Sequence, residues 1–356
     1  MALWCLKPAG GRFHPHVPVR VTPDIGTWPY GPSKNLPLED ERGSPDGTGR
    51  TIVMNAPLTP GRDAESPKVA ASQLAIRRVQ APGGSLHVID QPGAQPAFVL
   101  LHGFPDDSRA YSRLLPHLAP RRVIAFDFLG YGHSDRAPGR PDPGQHEAEL
   151  VAVLDQLGIG RAVLVGHDAG GPVAVNVTLD HPGRVSRLVL VNTYYGTAPR
   201  LQFPEMIRLL ADQNFAPLAD AMIDDPDQRL WLLNHTARRF GLDPLDPQGV
   251  GLLSIFPQFF GEGDTPDALA AIRAWTRALF GALAGQDARI ASGELAALEV
   301  PVLLAYGARD EYLSTDLARH LAGLFGRADL HVVEGASHWP QADQPETLAR
   351  ILKAAI

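Results

Sequence analysis

The sequence predicts an α/β fold: a mostly parallel sheet covered by helices on both faces, with a helical insertion late in the chain. Two features of the pattern predict it. Continuous apolar runs of strand length recur from Ala97 onward, each followed by a helical or inserted segment, and such uninterrupted runs belong to strands buried on both faces. Between about residues 196 and 297 the strand-like runs stop and only helical patterns remain.

Composition bounds the possibilities. The chain has 356 residues, 44% of them hydrophobic, enough for one large domain with an insertion or for two smaller ones. A formal net charge of -7, with no basic block, leaves a nucleic-acid partner without an electrostatic footprint. Cys5 is the single cysteine and cannot close an intramolecular disulfide, which points to a reducing, cytoplasmic setting. The opening Met1-Ala-Leu-Trp-Cys-Leu is cut short by Lys7 and Pro8, so it does not read as a secretion signal. No run approaches the roughly 18 apolar residues of a membrane span.

In chain order, residues 1–70 come first. They hold eleven of the 33 prolines and eight glycines without sustained periodicity, which predicts a disordered or loosely attached extension. His14-Pro-His16 lacks further ligands at metal spacing and carries no metal site. Next, Leu74-Ala-Ile-Arg-Arg-Val and Leu86-His-Val-Ile flank Pro82-Gly-Gly, the pattern of an antiparallel hairpin at a sheet edge. Buried-strand runs follow at Ala97–Leu101, Val123–Phe126, Ala162–Val165, Leu188–Val191, Val302–Ala305 and Leu330–Val333. Helical segments fall between them over Tyr111–Leu118, Glu147–Leu157, Pro172–Leu179 and Leu317–Phe325.

Within the insertion, Pro204–Ala211, Leu230–Phe240 and Ala268–Leu283 carry apolar residues at helical spacing. Trp231, Phe256, Phe259, Phe260, Trp275 and Phe280 would mostly form its core. The expected organisation is therefore an extension over 1–70, a sheet domain from 71–195 and 298–356, and a helical cap over 196–297. That cap would lie over the carboxyl ends of the strands, where open α/β sheets bind ligands.

The residues that carry chemistry sit just past the strands. Ala162-Val-Leu-Val runs into Gly166-His167-Asp168-Ala169-Gly170-Gly171 and then a helix, the form of a nucleophile elbow, whose glycines permit a turn too tight for larger side chains. Its central residue is a carboxylate. Serine there would announce acyl transfer, whereas a carboxylate suits attack on saturated electrophilic carbon, because its attack on an ester would give a mixed anhydride. Such a nucleophile needs a base to activate water and an acid to orient that base. Asp310, beyond the turn of Ala305-Tyr-Gly-Ala-Arg-Asp310, and His338, in Val332-Val-Glu-Gly-Ala-Ser-His338, stand in the order nucleophile, acid, histidine.

Upstream, Leu101-His-Gly103-Phe104-Pro105 would place the Phe104 backbone N–H beside that of Ala169 as an oxyanion hole. Asp127-Phe-Leu-Gly130-Tyr-Gly132-His-Ser134-Asp135 would turn compactly beneath the site. His102 and His167 read as packing and support residues, and Asp127 and Asp135 as turn and surface residues.

With these motifs the chain resembles the α/β-hydrolase superfamily, and within it the branch of epoxide hydrolases, haloalkane dehalogenases and haloacetate dehalogenases. The resemblance runs from about residue 75 to the end and rests on His102-Gly-Phe-Pro105, Asp127-x-x-Gly-x-Gly-x-Ser134, Gly166-His-Asp-x-Gly-Gly171, Asp310 and His338-Trp-Pro340. It implies the α/β-hydrolase fold, with eight mostly parallel strands and a helical cap after the sixth. It also implies that Asp168 attacks carbon, that His338 with Asp310 activates water against the resulting ester, and that no metal or organic cofactor takes part. The partners implied are a small apolar electrophile and water.

Several positions depart from the family's branches. Epoxide hydrolases usually place cap tyrosines above the nucleophile, and no tyrosine occurs between Thr197 and Val300. Tyr194 and Tyr195 at the cap's entrance, or His235 within it, are then the candidates for stabilising a departing oxygen. Ala169 stands where haloalkane dehalogenases commonly carry the halide-binding Trp, which leaves Trp231 and Trp275 as halide donors. Haloacetate dehalogenases use arginines just after the nucleophile, and Ala169 to Pro172 holds none. Phe104, as in the His-Gly-Phe-Pro form frequent in epoxide hydrolases, tips the expectation toward epoxides. The expected function is a cofactor-independent hydrolase working through an Asp168 alkyl ester, with haloalkane or haloacetate dehalogenation as the alternative. A non-catalytic ligand-binding protein is the third reading, and the complete triad stands against it.

Overall fold

The computed structural model describes residues 74–136, 144–241 and 266–356. The extension over 1–70, with Cys5, His14 and His16, lies outside the described residues, as do Phe256, Phe259 and Phe260. Eight strands form one sheet. β1 (Ala75–Ala81) and β2 (Gly84–Gln91) make the expected edge hairpin, turning at Gly83, whose φ of +97° is one that L side chains rarely adopt. β3 (Ala94–Leu101), β4 (Arg121–Phe126), β5 (Ala162–Asp168), β6 (Val185–Thr193), β7 (Val302–Gly307) and β8 (Ala328–Val333) follow. Their order is β1-β2-β4-β3-β5-β6-β7-β8; β1 and β4 each pair antiparallel with β2, and the five remaining pairings are parallel.

Parallel neighbours cannot be joined by a tight turn, so helices carry the chain back across the faces. They are α1 (Leu115–Leu118), α2 (Gln145–Gln156), α3 (Gly170–Asp180) and, past β7, a helix over Thr315–Leu324. The strand period of two sorts the side chains between two apolar layers. Ala97, Val99 and Leu101 of β3 join Leu150, Val153 and Leu154 of α2 and Val173, Ala174 and Val177 of α3. Phe98 and Leu100 face the opposite layer, with Leu115 and Leu118 of α1 and Leu348 and Leu352 near the carboxyl end of the chain. Both faces are covered, which is why these strands read as unbroken apolar runs.

Between β6 and β7 the described elements are all helices, with no strand among them. α4 (Glu205–Ala211), α5 (Ala216–Asp224), α6 (Pro226–Arg239) and α7 (Pro266–Ala291) occupy this stretch. The carboxylate of Asp225 accepts from the N–H groups of Asp227 and Gln228, capping α6, and Pro226 occupies its first turn. α7 buries Leu269, Ile272, Thr276, Leu279, Leu283 and Gln286, a stripe at helical spacing. After β7 come α8 (Thr315–Leu324), α9 (Pro340–Asp343) and α10 (Pro345–Ala354).

Some expectations are corrected. The Tyr111–Leu118 segment is not one helix: a 3-10 turn over Ser108–Tyr111 precedes the short α1, which is followed at once by Ala119-Pro120. β8 is an edge strand with β7 as its single neighbour, so His331 and Val332 are exposed rather than buried. Trp231 and Phe280 are 61% and 53% exposed and take no part in the core.

Leu164, fully buried at the centre of β5, tests this layering against Ile76, 62% exposed on the edge strand. Leu164→Ala is expected to lower the free energy of unfolding by about 2–5 kcal/mol. Ile76→Ala is expected to change it by under about 0.5 kcal/mol. Urea titrations of both variants check the pair.

Candidate active site

The site begins with a backbone constraint. β5 ends at Asp168 and α3 starts at Gly170, so the chain reverses in two residues, and Asp168 takes a φ of +45°, in the sparsely populated left-handed region. The turn closes so tightly that a Cβ on Gly166 would lie 2.6 Å from the Gly170 carbonyl oxygen and the Gly171 Cα. Thr193, at the end of β6, donates its hydroxyl to the Asp168 carbonyl oxygen at 2.5 Å. The carboxylate is thereby presented at the carboxyl end of the central strands.

A backbone N–H holds that carboxylate. Phe104 N–H donates to Asp168 Oδ2 at 2.9 Å, and the Ala169 N–H, at the cap of α3, also favours its charged form. The loop from β3 can come this close because it carries glycine at 103: a Cβ there would sit 2.7 Å from Asp168 Cβ. Burial lifts the Asp168 pKa above the ordinary carboxylate value, opposed by the charge of His338 and by these two N–H groups.

His338 and Asp310 complete the cluster. His338 Nδ1 lies 2.7 Å from Asp310 Oδ2, which fixes the ring and leaves Nε2 for proton exchange. Asp310 Oδ2 also accepts from the Asn192 amide at 2.8 Å, while Oδ1 accepts from the N–H groups of Tyr312 and Leu313, each at 3.0 Å. Asn192 in turn accepts from Gly307 N–H at 2.8 Å and takes a φ of +33°. Burial would raise the Asp310 pKa, yet the charge and hydrogen bond of His338, with Asn192, hold it below the usual value. Burial likewise opposes charge on His338, but the charge and hydrogen bond of Asp310, with the charges of Asp168 and Asp106, raise its pKa to about 9. At neutral pH the centre is an ion pair, imidazolium against carboxylate, inside an apolar wall.

The neighbouring polar residues support this centre. His167 is buried and kept neutral, and its Nε2–H donates to the His338 carbonyl at 2.8 Å. His102 accepts from Phe128 N–H at 3.1 Å and shares a 2.8 Å hydrogen bond with the Gly103 carbonyl, so it braces the Phe104 loop. Asp127 is not a surface residue: it is buried, and its carboxylate accepts from the N–H groups of Ser108 and His133, each at 2.8 Å. Trp339 donates its indole N–H to the buried carboxyl of Asp106 at 3.1 Å. Burial pushes the Asp106 pKa well above the usual range.

Asp168 and His338 face a chamber of about 30 Å³, walled by Phe104, Met206, Phe240, Trp275 and Tyr312 among others. Of the residues expected to stabilise a leaving group, Trp275 lines this chamber. Tyr194 is buried, lines a larger adjoining cavity together with Ala169 and Trp275, and its hydroxyl makes no hydrogen bond among the described residues. Burial, and then the charge of Asp168, raises its pKa well above that of a free phenol.

The remaining three lie elsewhere. Tyr195 turns away from the chamber and donates to Asn176 Oδ1 at 2.7 Å. Trp231 and His235 lie one turn apart on α6 and stack on each other, centroids 5.5 Å apart, away from the chamber wall. The buried face of α6 instead carries Leu232, Leu233 and Thr236.

Residue type alone does not point to Asn192, Phe240 or Tyr312. Asn192 carries a sequence signal, a polar residue closing the apolar run Leu188-Val-Leu-Val near the end of β6, as Asp168 closes β5. Among the described residues no group of three or more His, Cys, Asp or Glu can hold a metal ion, and no helix is long and apolar enough to cross a membrane.

Comparison with known proteins gives the family of the fold. A family model described as alpha/beta hydrolase family matches residues 98–351. Bifunctional epoxide hydrolase 2 of Sus scrofa is 24% identical over 334 residues, 84% of this chain, and the chain spans 57% of that protein's length. A haloalkane dehalogenase of Mycolicibacterium paratuberculosis is 28% identical over 285 residues, 75% of this chain and 86% of the relative. Among solved structures, an alpha/beta hydrolase fold protein from Burkholderia ambifaria superposes with a TM-score of 0.63 at 25% identity, covering 78% of this chain and 96% of that one.

The electrostatic arrangement makes a checkable statement. Asp168→Asn removes a negative charge that favours the His338 cation, so the His338 pKa is expected to fall from about 9. Histidine NMR titration reads this directly, and an unchanged or higher value would contradict the arrangement.

Proposed function

The chain belongs to the alpha/beta hydrolase family, and from that premise we propose that it hydrolyses epoxides through an alkyl ester on Asp168. One observation carries the proposal: the N–H of Phe104 holds the carboxylate of the elbow residue itself, and that of Ala169 beside it also favours the charged form. In a serine hydrolase such a pair would await the substrate's carbonyl oxygen. Here the carbonyl to be hydrolysed is that of the Asp168 ester, so the donors that hold the resting carboxylate also hold its oxyanion in the second step.

The charges set the order of events. Asp168 attacks an epoxide carbon, the C–O bond opens, and Tyr194 donates its hydroxyl hydrogen bond to the departing oxygen. Esterification removes the charge on Asp168, and with it one of the interactions that keep His338 protonated. The proton on His338 passes to the alkoxide, leaving the imidazole neutral and Asp310 still orienting it. His338 then takes a proton from water, the hydroxide adds to the ester carbonyl, and the tetrahedral intermediate collapses to expel the diol's oxygen, which takes that proton back. The freed carboxylic acid of Asp168 returns its proton to His338, restoring the ion pair.

The chamber bears on the substrate. Its described lining includes neither lysine nor arginine, so a haloacid's carboxylate would meet there only the His338 cation, already paired with Asp310. The haloalkane reading keeps one support, the indole of Trp275 in the chamber wall. Tyr194, whose free hydroxyl is close enough to Asp168 to feel its charge, favours an oxygen leaving group.

His338→Gln is expected to slow ester hydrolysis by roughly 10²–10⁴-fold and to accumulate enzyme heavier by one epoxide molecule, with the added mass on Asp168. Intact-protein and peptide mass spectrometry check this. Tyr194→Phe is expected to slow the alkylation step more than the hydrolysis step, read by rapid quench. Hydrolysis of the ester should fall as the pH drops through the His338 pKa, because the protonated ring cannot accept from water. Halide release from haloalkanes with no diol from any epoxide would overturn the choice of substrate.

A further inference from the structure

The chamber at Asp168, about 30 Å³, has room for about one water molecule and none for an organic substrate. Beside it lies a cavity of about 970 Å³, at the upper end of the range for sites that bury a drug-sized ligand. The two share one wall residue, Trp275 of α7, whose ring stacks on Phe104 at 3.9 Å between centroids and 12° between planes. The larger cavity also reaches Ala169 and Tyr194, so it adjoins both the nucleophile and its proposed hydrogen-bond donor.

The cavity wall describes its occupant. Pro172, Val173, Leu279, Phe280 and Ala282 give it an apolar surface. Its cations are already matched: Arg277 with Asp220 at 2.8 Å, and Arg289 with Asp180 at 2.6 Å and Glu294 at 2.8 Å; the carboxylates in its lining, Glu147 and Asp212, accept from Asn176 and Asn214. Asn176 donates to Glu147 at 2.7 Å and accepts from Tyr195, and Gln286 accepts from Gly196 N–H. A neutral, extended hydrocarbon fits the apolar part of this lining, whereas an anionic one would have to break an existing pair to find a cation.

We propose that Trp275 is a gate between the two spaces, and that the substrate is a neutral epoxide whose long alkyl or aryl substituent fills the larger cavity while its oxirane ring reaches Asp168 past the indole. This deepens the epoxide reading and rests on it. Swinging Trp275 off Phe104 joins the spaces, and the size of the opening decides which substitution patterns on the oxirane can pass. Each methylene added to the substituent is expected to tighten binding about fourfold, the roughly 0.8 kcal/mol of a buried methylene, until the cavity is full.

Two variants and an unreactive probe test this. A Cβ on Gly285, on the cavity side of α7, would meet nothing within 4 Å, so Gly285→Leu narrows the cavity without a clash and replaces a helix-interior glycine with a better helix former. It is expected to lower the ratio of kcat/KM for 1,2-epoxydecane over 1,2-epoxybutane at least tenfold. Trp275→Ala is expected to raise the ratio for a trans-disubstituted over a terminal epoxide at least tenfold. Decan-1-ol binding, measured by calorimetry and independent of turnover, should weaken at least tenfold in Gly285→Leu.

Epoxide turnover with both ratios unchanged would overturn the gate and the cavity assignment. So would decan-1-ol binding that is absent, or indifferent to Gly285→Leu. Decan-1-ol binding that responds to Gly285→Leu, with no epoxide turned over by the unaltered protein, would overturn the epoxide reading and support the apolar cavity.

Discussion

A carboxylate at a left-handed turn between strand and helix is the constraint around which the rest of the molecule is arranged. Asp168 can hold a φ of +45° only because its neighbours leave no better choice: Gly166 and Gly170 pack without side chains between them, and Thr193 fixes its carbonyl. The same turn sets the Ala169 N–H where it favours the carboxylate's charge, and Gly103 lets the Phe104 loop donate to it. Parallel pairing of β5, β6 and β7 then brings Asn192 and Asp310 to the same end of the sheet. His338 follows from the neighbouring β8.

Electrostatics gives that geometry its chemistry. Four ionisable groups, Asp106, Asp168, Asp310 and His338, share a buried space in which burial resists every charge. They differ because their hydrogen bonds differ. Asp310 has the Asn192 amide, two backbone N–H groups and the imidazole, and stays ionised; Asp106 has the Trp339 indole and is driven toward its neutral form. Asp168 lies between these extremes, its charge favoured by two N–H groups and by an imidazolium whose charge its own alkylation would weaken. In the proposed reaction, loss of charge in the first step prepares the base for the second.

Much of this was legible in the sequence because it depends on local rules. Strands covered on both faces must be apolar throughout, so β3 to β7 announced themselves, whereas β8, at an edge, only looked buried. The elbow glycines and the order Asp168, Asp310, His338 are fixed by turn sterics and topology, and the structure brings these side chains together. The residues roofing the site were harder to read, since nothing local says which side of a cap helix faces inward. Trp231 and His235 share a face of α6, but it is the outer one, and Thr236 and Phe240 reach the chamber instead. Asn192 and Tyr312 act through partners more than a hundred residues away, Asp310 and Glu205, and no spacing rule records such contacts.

The central claim is that Asp168, and not water, makes the first bond to substrate carbon. A single turnover with enzyme in excess, run in heavy-oxygen water with a terminal epoxide, tests it most directly. The account predicts an unlabelled diol and an Asp168-containing peptide heavier by one isotopic oxygen, because the oxygen given to product comes from the carboxylate. A labelled diol on that first turnover, with Asp168 unlabelled, would mean that water attacks directly, and would contradict the account.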